Sequence, residues 1–503
     1  LAHPERSIVA RAEALLAPRE PGIWLDQVST GLLEARFALS RHPDRPGEVA
    51  LVSERLDPTP LRRLLGRSTP CVGRERELGV LESLLCETLS DSVARVAVVT
   101  GEPGIGKSRV RYELLRRLEV TAKNAGSPVP EIWLGRGDPI AEGSPLGLLG
   151  SALRFGLGVA LDAPREQVRD LLVARVHRAH SLDVAERVAD ALCEVVTGES
   201  EAPRRLSPLL LGDLLMAAWE DFLTGELEQH PVVLVLEDLH FGDWGSVRFV
   251  DAALRQHADR RFFTLGLARP GVSQRFPSLW AERRPLVLPL PELGRRAGEA
   301  LVHSVLGDGV DPHLARAVVD RAGGNAFFLE ELIRAVAEGG ASAELPGSVL
   351  ALAEARIVGL DPELRQVLRA ASVFGTVFWT AGVAELMGRH PDAVRADLAR
   401  LTERELLTKR RDSRFAGQEE FVFRHAFVRD AAHSMLTPDD LERGHRSAAA
   451  WLERAGEREP LILAEHLRRG NEPARAAPHL CRAAAQAISA NDFESALAHA
   501  RRA

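Results

Sequence analysis

Lysine is almost missing from this sequence: Lys107, Lys123 and Lys409 are the only three among 503 residues, although Lys and Arg together number 64. Such usage follows from a GC-rich genome, and a lysine that persists marks a position where a compact ammonium is a candidate requirement. Cysteine is scarce too. Cys71, Cys86, Cys193 and Cys481 form no CxxC pair and have no histidine at metal spacing. That argues against a disulfide framework or a zinc site, and for buried thiols in a reducing cytoplasm. No apolar run approaches the roughly 18 residues that a membrane span needs. Positive charge is not in excess either: 64 basic against 71 acidic residues give a net charge of -7. The global basic field that points to nucleic acid or an anionic membrane is therefore absent. The chain opens on Leu1 with no secretory leader pattern, and its helical pattern still runs at Ala503. We expect a fragment of a longer protein.

What is present fits a soluble chain of several domains: 45% hydrophobic and 27% charged residues over 503 positions, enough for three or four domains of about 150 residues each. Residues 1–66 are mixed, with an amphipathic helix expected at 7–16, a short helix at 32–37 and a strand at 49–52, before Pro58 and Pro60 break the pattern into a linker. From about residue 68, short apolar runs at 96–100, 132–134, 232–236, 262–267 and 286–290 alternate with helical stretches. Near-continuous apolar strands separated by helices predict a parallel sheet buried on both faces, a three-layer α/β domain. After Pro291 the pattern turns helical over 296–343. Helices followed by a strand pair at 406–409 and 420–423 predict a winged helix, and from 441 onward the sequence is helical and Ala-rich, like the first units of a repeat array.

Two stretches carry chemistry. Gly101-Glu102-Pro103-Gly104-Ile105-Gly106-Lys107-Ser108 fits G-x-x-x-x-G-K-[ST] and sits between a predicted strand and a predicted helix. Its glycines let backbone N–H groups wrap phosphates, Lys107 supplies a point charge to the β- and γ-phosphates, and the Ser108 hydroxyl is a ligand for Mg²⁺. The second is Val232-Val233-Leu234-Val235-Leu236-Glu237-Asp238, a buried strand that delivers two carboxylates at its C-terminal end, where α/β sheets bind ligands. One of them, Glu237 in this reading, holds the magnesium shell, and the other orients or deprotonates the attacking water. Arg269, just past the 262–267 run, is a candidate γ-phosphate contact; its bland alternative is one more surface arginine.

With these residues in place, the chain resembles the STAND class of signalling P-loop ATPases, in the bacterial group with an AAA-type ATPase and helical repeats. Cys71-Val72-Gly73-Arg74-Glu75 resembles the box that precedes the P-loop and contacts the adenine, which implies nucleotide contacts from Val72, Gly73 and Arg74. Leu236-Glu237-Asp238-Leu239-His240 is similar to the group's Walker B. Gly324-Asn325-Ala326-Phe327-Phe328-Leu329-Glu330-Glu331 resembles its lid motif, which implies a nucleotide contact from Asn325 and Ala326. Phe423-Arg424-His425-Ala426-Phe427-Val428-Arg429-Asp430 looks like a box near its winged helix, where His425 would touch the β-phosphate or else is simply packed. The ordered set spans about residues 70–440. Three features depart from the usual patterns: Glu237 precedes Asp238, where the generic Walker B has Asp first although this group often shares the Glu-Asp order; Phe241, Gly242 and Asp243 follow His240; and Ala326 stands where Pro is usual. Separately, Ile23-Trp24-Leu25-Asp26-Gln27-Val28-Ser29-Thr30-Gly31-Leu32-Leu33 is similar to the tail of class III nucleotide cyclase domains.

The resemblance implies a cyclase-like tail and linker at 1–66, a P-loop ATPase at 67–291, a helical lid at 292–345, a winged helix at 346–440, and the start of TPR-like repeats at 441–503. It implies ATP or ADP with Mg²⁺ between the first two nucleotide-binding parts, slow hydrolysis, a protein or small-molecule ligand on the C-terminal repeats, and assembly on ATP. The chain would be the regulatory half of a bacterial kinase or cyclase fusion. Two other readings stay open: a transcription regulator whose DNA-binding domain lies outside this chain, and a scaffold held by nucleotide that it does not hydrolyse. Direct nucleic-acid binding by this chain is not expected on its charge balance.

Overall fold

The computed structural model describes residues 63–65, 67–124, 126, 128–138, 144–160, 163–198, 208–307, 309–337, 348–410, 413–490 and 492–503, with three strands between 23 and 54. The chain divides into two compact units, Leu1–Pro70 and Cys71–Ala503.

In the first unit, strands β1 (Ile23–Leu25), β2 (Phe37–Arg41) and β3 (Val49–Glu54) form an antiparallel sheet in the order β1-β3-β2, and β4 (Arg63–Leu64) pairs with β5 (Arg67–Ser68). The strand expected at 49–52 is there. The helix expected at 32–37 is corrected at its end, because Phe37 opens a strand. Phe37, Ala38, Leu39 and Ser40 alternate large apolar with small residues, a period of two that a pair of leucines upstream disguises as a helical one. Residues 32–36 and the helix expected at 7–16 lie outside the described residues.

The second unit opens with helix α1 (Glu75–Asp91) and builds a five-stranded sheet from β6 (Arg95–Thr100), β7 (Glu131–Arg136), β8 (Val232–Glu237), β9 (Phe262–Ala268) and β10 (Leu286–Pro289). Its order is β10-β6-β9-β8-β7 and every pairing is parallel. Alternate residues of each strand feed opposite cores. Ala97, Val99, Val233 and Val235 pack under α1 and α2 (Lys107–Asn124). Val96, Val98, Leu234 and Leu236 pack under α3 (Gly147–Leu157), α4 (Arg165–Val176), α5 (Leu182–Thr197), α6 (Pro208–Gln229) and α7 (Trp244–Gln256). This is the parallel-sheet P-loop NTPase fold that the sequence predicts. The sheet order has a consequence for function: β9 runs between the strand that leads into residues 101–108 and the strand that ends in Glu237.

Three helices follow, α8 (Arg295–Leu306), α9 (Pro312–Ala322) and α10 (Ala326–Ala337). A separate core then forms around α11 (Val349–Val358), α12 (Pro362–Phe374), α13 (Thr380–Met387), α14 (Pro391–Glu403) and α15 (Ala426–Ser434). The expected strand pair is present as β12 (Leu407–Lys409) and β13 (Glu420–Phe423), with a third strand, β11 (Val377–Trp379), on the far side of β13. Three residues are too few for a periodic signal, so β11 was not legible in the pattern. Helices α16 (Pro438–Ala455), α17 (Pro460–Arg469), α18 (Pro473–Ser489) and α19 (Phe493–Arg502) pack in sequence order, and α18 also folds back against α6. No helix among the described residues is long and apolar enough to cross a membrane.

Candidate functional site

The site gathers at the C-terminal edge of the parallel sheet. Strand β6 ends at Thr100 and the chain turns at once into residues 101–108, where Gly104 and Gly106 take φ values of +81° and +107°. Those angles are open to glycine and costly for other residues. The Gly101 N–H donates to the Ala268 carbonyl at 3.2 Å, which fixes the loop entrance against the end of β9. Lys107, the first residue of α2, donates Nζ to the Gly101 and Glu102 carbonyls at 2.6 and 3.0 Å. Its ammonium is thus folded over the mouth of its own loop. Burial pulls its pKa below the usual lysine value, Asp238 opposes that, and Arg269 adds to it.

Glu237 closes β8 and is 4% exposed. Arg136, at the end of β7, donates to Oε2 at 3.1 and 2.6 Å through Nε and Nη2. Arg111, one turn into α2 from Lys107, places Nε 3.0 Å from Oε1. Although burial acts to raise it, the pKa of Glu237 is held down at about 2 by Arg136 and Arg111 and by hydrogen bonds from Arg136 and Ser108. The Ser108 hydroxyl and the Glu237 carboxylate therefore meet. This donor set of hard oxygens suits Mg²⁺, with both Glu237 oxygens already held by guanidiniums, Oε1 by Arg111 and Oε2 by Arg136.

Asp238 differs from its neighbour in every respect. It adopts left-handed backbone, with φ +50° and ψ +39°, and so ends the strand that Glu237 closes. Burial raises its pKa, and the Glu237 charge raises it further, while Arg136, Lys107 and Arg269 lower it. One carboxylate locked as an anion beside another pushed toward protonation is the division of labour that two acids need. Arg269 follows β9, so the sheet order delivers it between the loop and the acids, with its guanidinium carbon 5.6 Å from the Phe241 ring centre. His240 sits under the same cations. Among the described residues neither ring nitrogen has a hydrogen-bond partner, and burial together with Arg269, Lys107 and Arg275 brings its pKa down to about 4.

The downstream helices reach the loop directly. The Phe327 N–H donates to the Gly104 carbonyl at 2.9 Å, and Asn325 Nδ2 donates to the Pro103 carbonyl at 3.0 Å. Asn325 Oδ1 accepts from the Phe328 N–H at 3.1 Å and so caps α10. The Phe327 ring lies 4.1 Å from the His425 ring and 5.3 Å from that of Phe427, centre to centre. Gly73 (φ +64°) and Gly324 (φ +74°) permit close packing nearby, since a Cβ would lie 2.5 Å from Ala297 Cβ at the first and 2.5 Å from Glu292 Cβ at the second.

Every candidate site residue named from the sequence is described, whereas of the cyclase-like stretch 23–33 only Ile23–Leu25 is, and residues 26–33 lie outside the described residues. Lys107, Ser108, Glu237, Asp238 and Arg269 come together around Gly101, Gly104 and Gly106, and Asn325 docks on the same loop. Ala326 is half-buried at the start of α10, Val72 is half-buried ahead of α1, and His425 stands behind Phe327. The Arg74 guanidinium donates to the Pro291 carbonyl at 2.8 Å and to the Ile105 carbonyl at 2.9 Å. A side chain 4% exposed and bonded to two protein carbonyls braces the P-loop. The sequence reading passed over Arg111, Arg136 and Asp243. Arg111 falls four residues after Lys107, on the helix face that turns toward the sheet. Arg136 ends an apolar strand, as Glu237 does. Asp243 is buried and accepts from Ser246, Leu146 and Leu148, N-capping α7 and tying the loop after Glu237 to the start of α3.

A phosphate-wrapping loop with its lysine, a serine–glutamate pair and a second acid, all on one edge of a parallel sheet, define a P-loop nucleoside triphosphatase. Residues 70–265 match the AAA ATPase domain, and the chain carries an AAA-type P-loop ATPase. No curated protein matches the chain in sequence. Among solved structures it is similar to a Signal Transduction ATPase with Numerous Domains (STAND) protein with a tetratricopeptide repeat sensor from Pyrococcus horikoshii, at 13% identity and TM-score 0.45 over 86% of this chain and 58% of that one. It thus spans less than two thirds of that protein's length. Similarity extends to Drosophila ORC bound to DNA (14% identity, 88% and 100% covered, TM-score 0.36). It extends as well to Aeropyrum pernix ORC1 in complex with DNA (15% identity, 73% and 94% covered, TM-score 0.33).

Proposed function

We propose that this protein is a nucleotide switch: it binds ATP or ADP with Mg²⁺, hydrolyses ATP slowly, and converts the bound state into a rearrangement of its downstream helices. The observation that carries the reading is the contact of residues 325–327 with the loop, Phe327 N–H to Gly104 O and Asn325 Nδ2 to Pro103 O. A shift of that loop on nucleotide exchange moves α10 and, through Phe327 and His425, the helix–hairpin segment beyond it. A ligand shifts such an equilibrium only by its differential contacts with the two states. Here the P-loop is itself one of those contacts.

In this reading residues 292–345 act as the lid, 346–440 as a winged helix and 441–503 as the start of a repeat array that takes a protein or small-molecule signal. Assembly on ATP and a role as the regulatory part of a larger kinase or cyclase protein belong to the same proposal. Lys107 leaves the Gly101 and Glu102 carbonyls for phosphate oxygens. Ser108 and Glu237 would hold Mg²⁺, which when bound would offset the phosphate charge. Asp238 orients the attacking water and accepts its proton, and Arg269 approaches the γ-phosphate.

Single-turnover hydrolysis with Mg²⁺ tests this beside Lys107→Ala and Asp238→Asn. Wild type binds and hydrolyses, Asp238→Asn binds without hydrolysis, and Lys107→Ala binds neither nucleotide. Full binding by Lys107→Ala overturns the proposed site. Binding without turnover in wild type leaves a scaffold held by nucleotide.

A further inference from the structure

A cavity of about 520 Å³ lies at the opposite edge of the sheet, where the strands begin. Pro130 precedes β7, Pro231 precedes β8 and Arg261 precedes β9, and all three line it. Its walls are the C-terminal halves of α1 and α2, which contribute Leu85, Leu89, Leu114 and Leu118. Helix α2 is 18 residues long, roughly 27 Å at 1.5 Å per residue. It begins at Lys107 and ends at this cavity, so the two places are separate. The volume falls in the range of small-molecule sites, about 300–1,000 Å³, and the lining has their composition of apolar walls with a few polar groups.

The polar groups carry an excess of positive charge. Arg116 and Arg117 share the Glu113 carboxylate, at 2.6 and 3.0 Å, and Arg117 also reaches Glu82 at 3.1 Å. Among the described residues no carboxylate pairs with Arg261. Three guanidiniums and one carboxylate, Glu82, thus line an otherwise apolar cavity, and a second carboxylate, Glu113, pairs with two of the guanidiniums from outside the lining. A neutral apolar guest leaves the Arg261 charge without a partner, and a cationic one meets repulsion from all three. A guest with an apolar body and one anionic head satisfies both parts at once.

We propose that this cavity is a binding site for a small amphipathic anion, an aliphatic or aromatic carboxylate whose head meets Arg261 and whose tail lies between α1 and α2. Its binding does not depend on the nucleotide reading above.

Calorimetry with decanoate, and with decyltrimethylammonium as the same chain under the opposite charge, tests the assignment on the full chain. Decanoate is expected to bind with one-to-one stoichiometry and decyltrimethylammonium at least tenfold more weakly. Arg261→Gln is expected to weaken decanoate at least tenfold. Thr121→Trp, which fills the chamber from an exposed position on its rim, is expected to abolish binding. Thermal melts and nucleotide binding report that both variants are folded. Equal affinity for the two headgroups, undiminished decanoate binding in Arg261→Gln, or no decanoate binding by wild type overturns the proposal.

Discussion

Glu237 and Arg111 form an ion pair at 3.0 Å with both side chains almost wholly removed from solvent, at 5% and 1% exposure. Arg136 completes the triad from the half-exposed side, at 2.6 Å from the other carboxylate oxygen. The two arginines thus stand in different dielectric surroundings, and their removal has different costs. Arg111→Met leaves a buried carboxylate short of its buried partner, and losses from such half-broken pairs run to about 3–5 kcal/mol. Arg136→Gln replaces a hydrated group and is expected to cost about 1 kcal/mol or less. Urea unfolding of the two variants checks the order. Equal destabilisation would show that burial does not set the strength of this triad.

Acid is expected to unfold the protein in two stages. His466 and His445 are buried and face one another, Nδ1 to Nδ1, at 3.0 Å. Burial leads the causes that bring His466 to about 4 and His445 to about 2, against an ordinary 6.5. The unfolded chain takes up those protons first, so stability falls as pH drops below 6.5. Glu237, held at about 2 against 4.5, contributes stability that is complete above 4.5 and lost as pH falls toward 2. The double variant His445→Gln/His466→Gln is expected to be less stable at pH 7.5, yet to lose stability less steeply between pH 6.5 and 4. Melting temperature against pH reads both stages; an unchanged slope in the double variant would remove the histidine pair as its source.

Gly104 is the position where the P-loop and the helices beyond it interfere. A Cβ there would lie 2.6 Å from Asn325 Oδ1 and 3.0 Å from Phe327 Cβ, on backbone at φ +81°. Gly104→Ala is expected to fold, to push residues 325–327 off the loop, and to release a fluorescent ADP analogue at least tenfold faster than wild type. Asn325→Ala, which removes the bond to Pro103 and the N-cap of α10 without crowding the loop, is expected to show a smaller acceleration of the same sign. Stopped-flow release measures both.

The core of this site was legible because its parts are local in sequence. The P-loop is eight consecutive residues, and the acids follow directly on a five-residue apolar run, Val232 to Leu236. Asn325 was reached only through the resemblance, since nothing within the stretch around it announces a contact with Pro103, 222 positions away. Arg111 and Arg136 were missed for a related reason. In a chain with 64 basic residues, nearly all of them Arg, a buried guanidinium has no distinguishing signature until the sheet order puts β7 beside β8. The five strands were found because both faces of the sheet are covered and the runs are continuous. Strand β11 was lost because three residues carry no period.

Arg334 on α10 and Glu405 after α14 pair directly between the two helical segments downstream of the nucleotide loop. The pair is part of a network. Arg334 also lies 3.3 Å from Glu331, Arg356 reaches Glu331 at 2.7 Å, and Arg424 reaches Glu405 at 3.2 Å. Arg334 and Glu331 are 6% and 7% exposed, so their charges interact through little solvent. Since α10 begins at the residues that touch the P-loop, this network is the second tie, after Phe327 and His425, between nucleotide and the helix–hairpin segment. A double-mutant cycle with Arg334→Ala and Glu405→Ala is expected to give a coupling of about 1–3 kcal/mol in unfolding. The same cycle read in ADP release is expected to show coupling as well, because breaking the tie loosens the arrangement that holds the nucleotide in. Coupling in stability with none in ADP release would assign the network to folding alone and leave the contacts of Phe327 with His425 and Phe427 to link the loop to the segment beyond it.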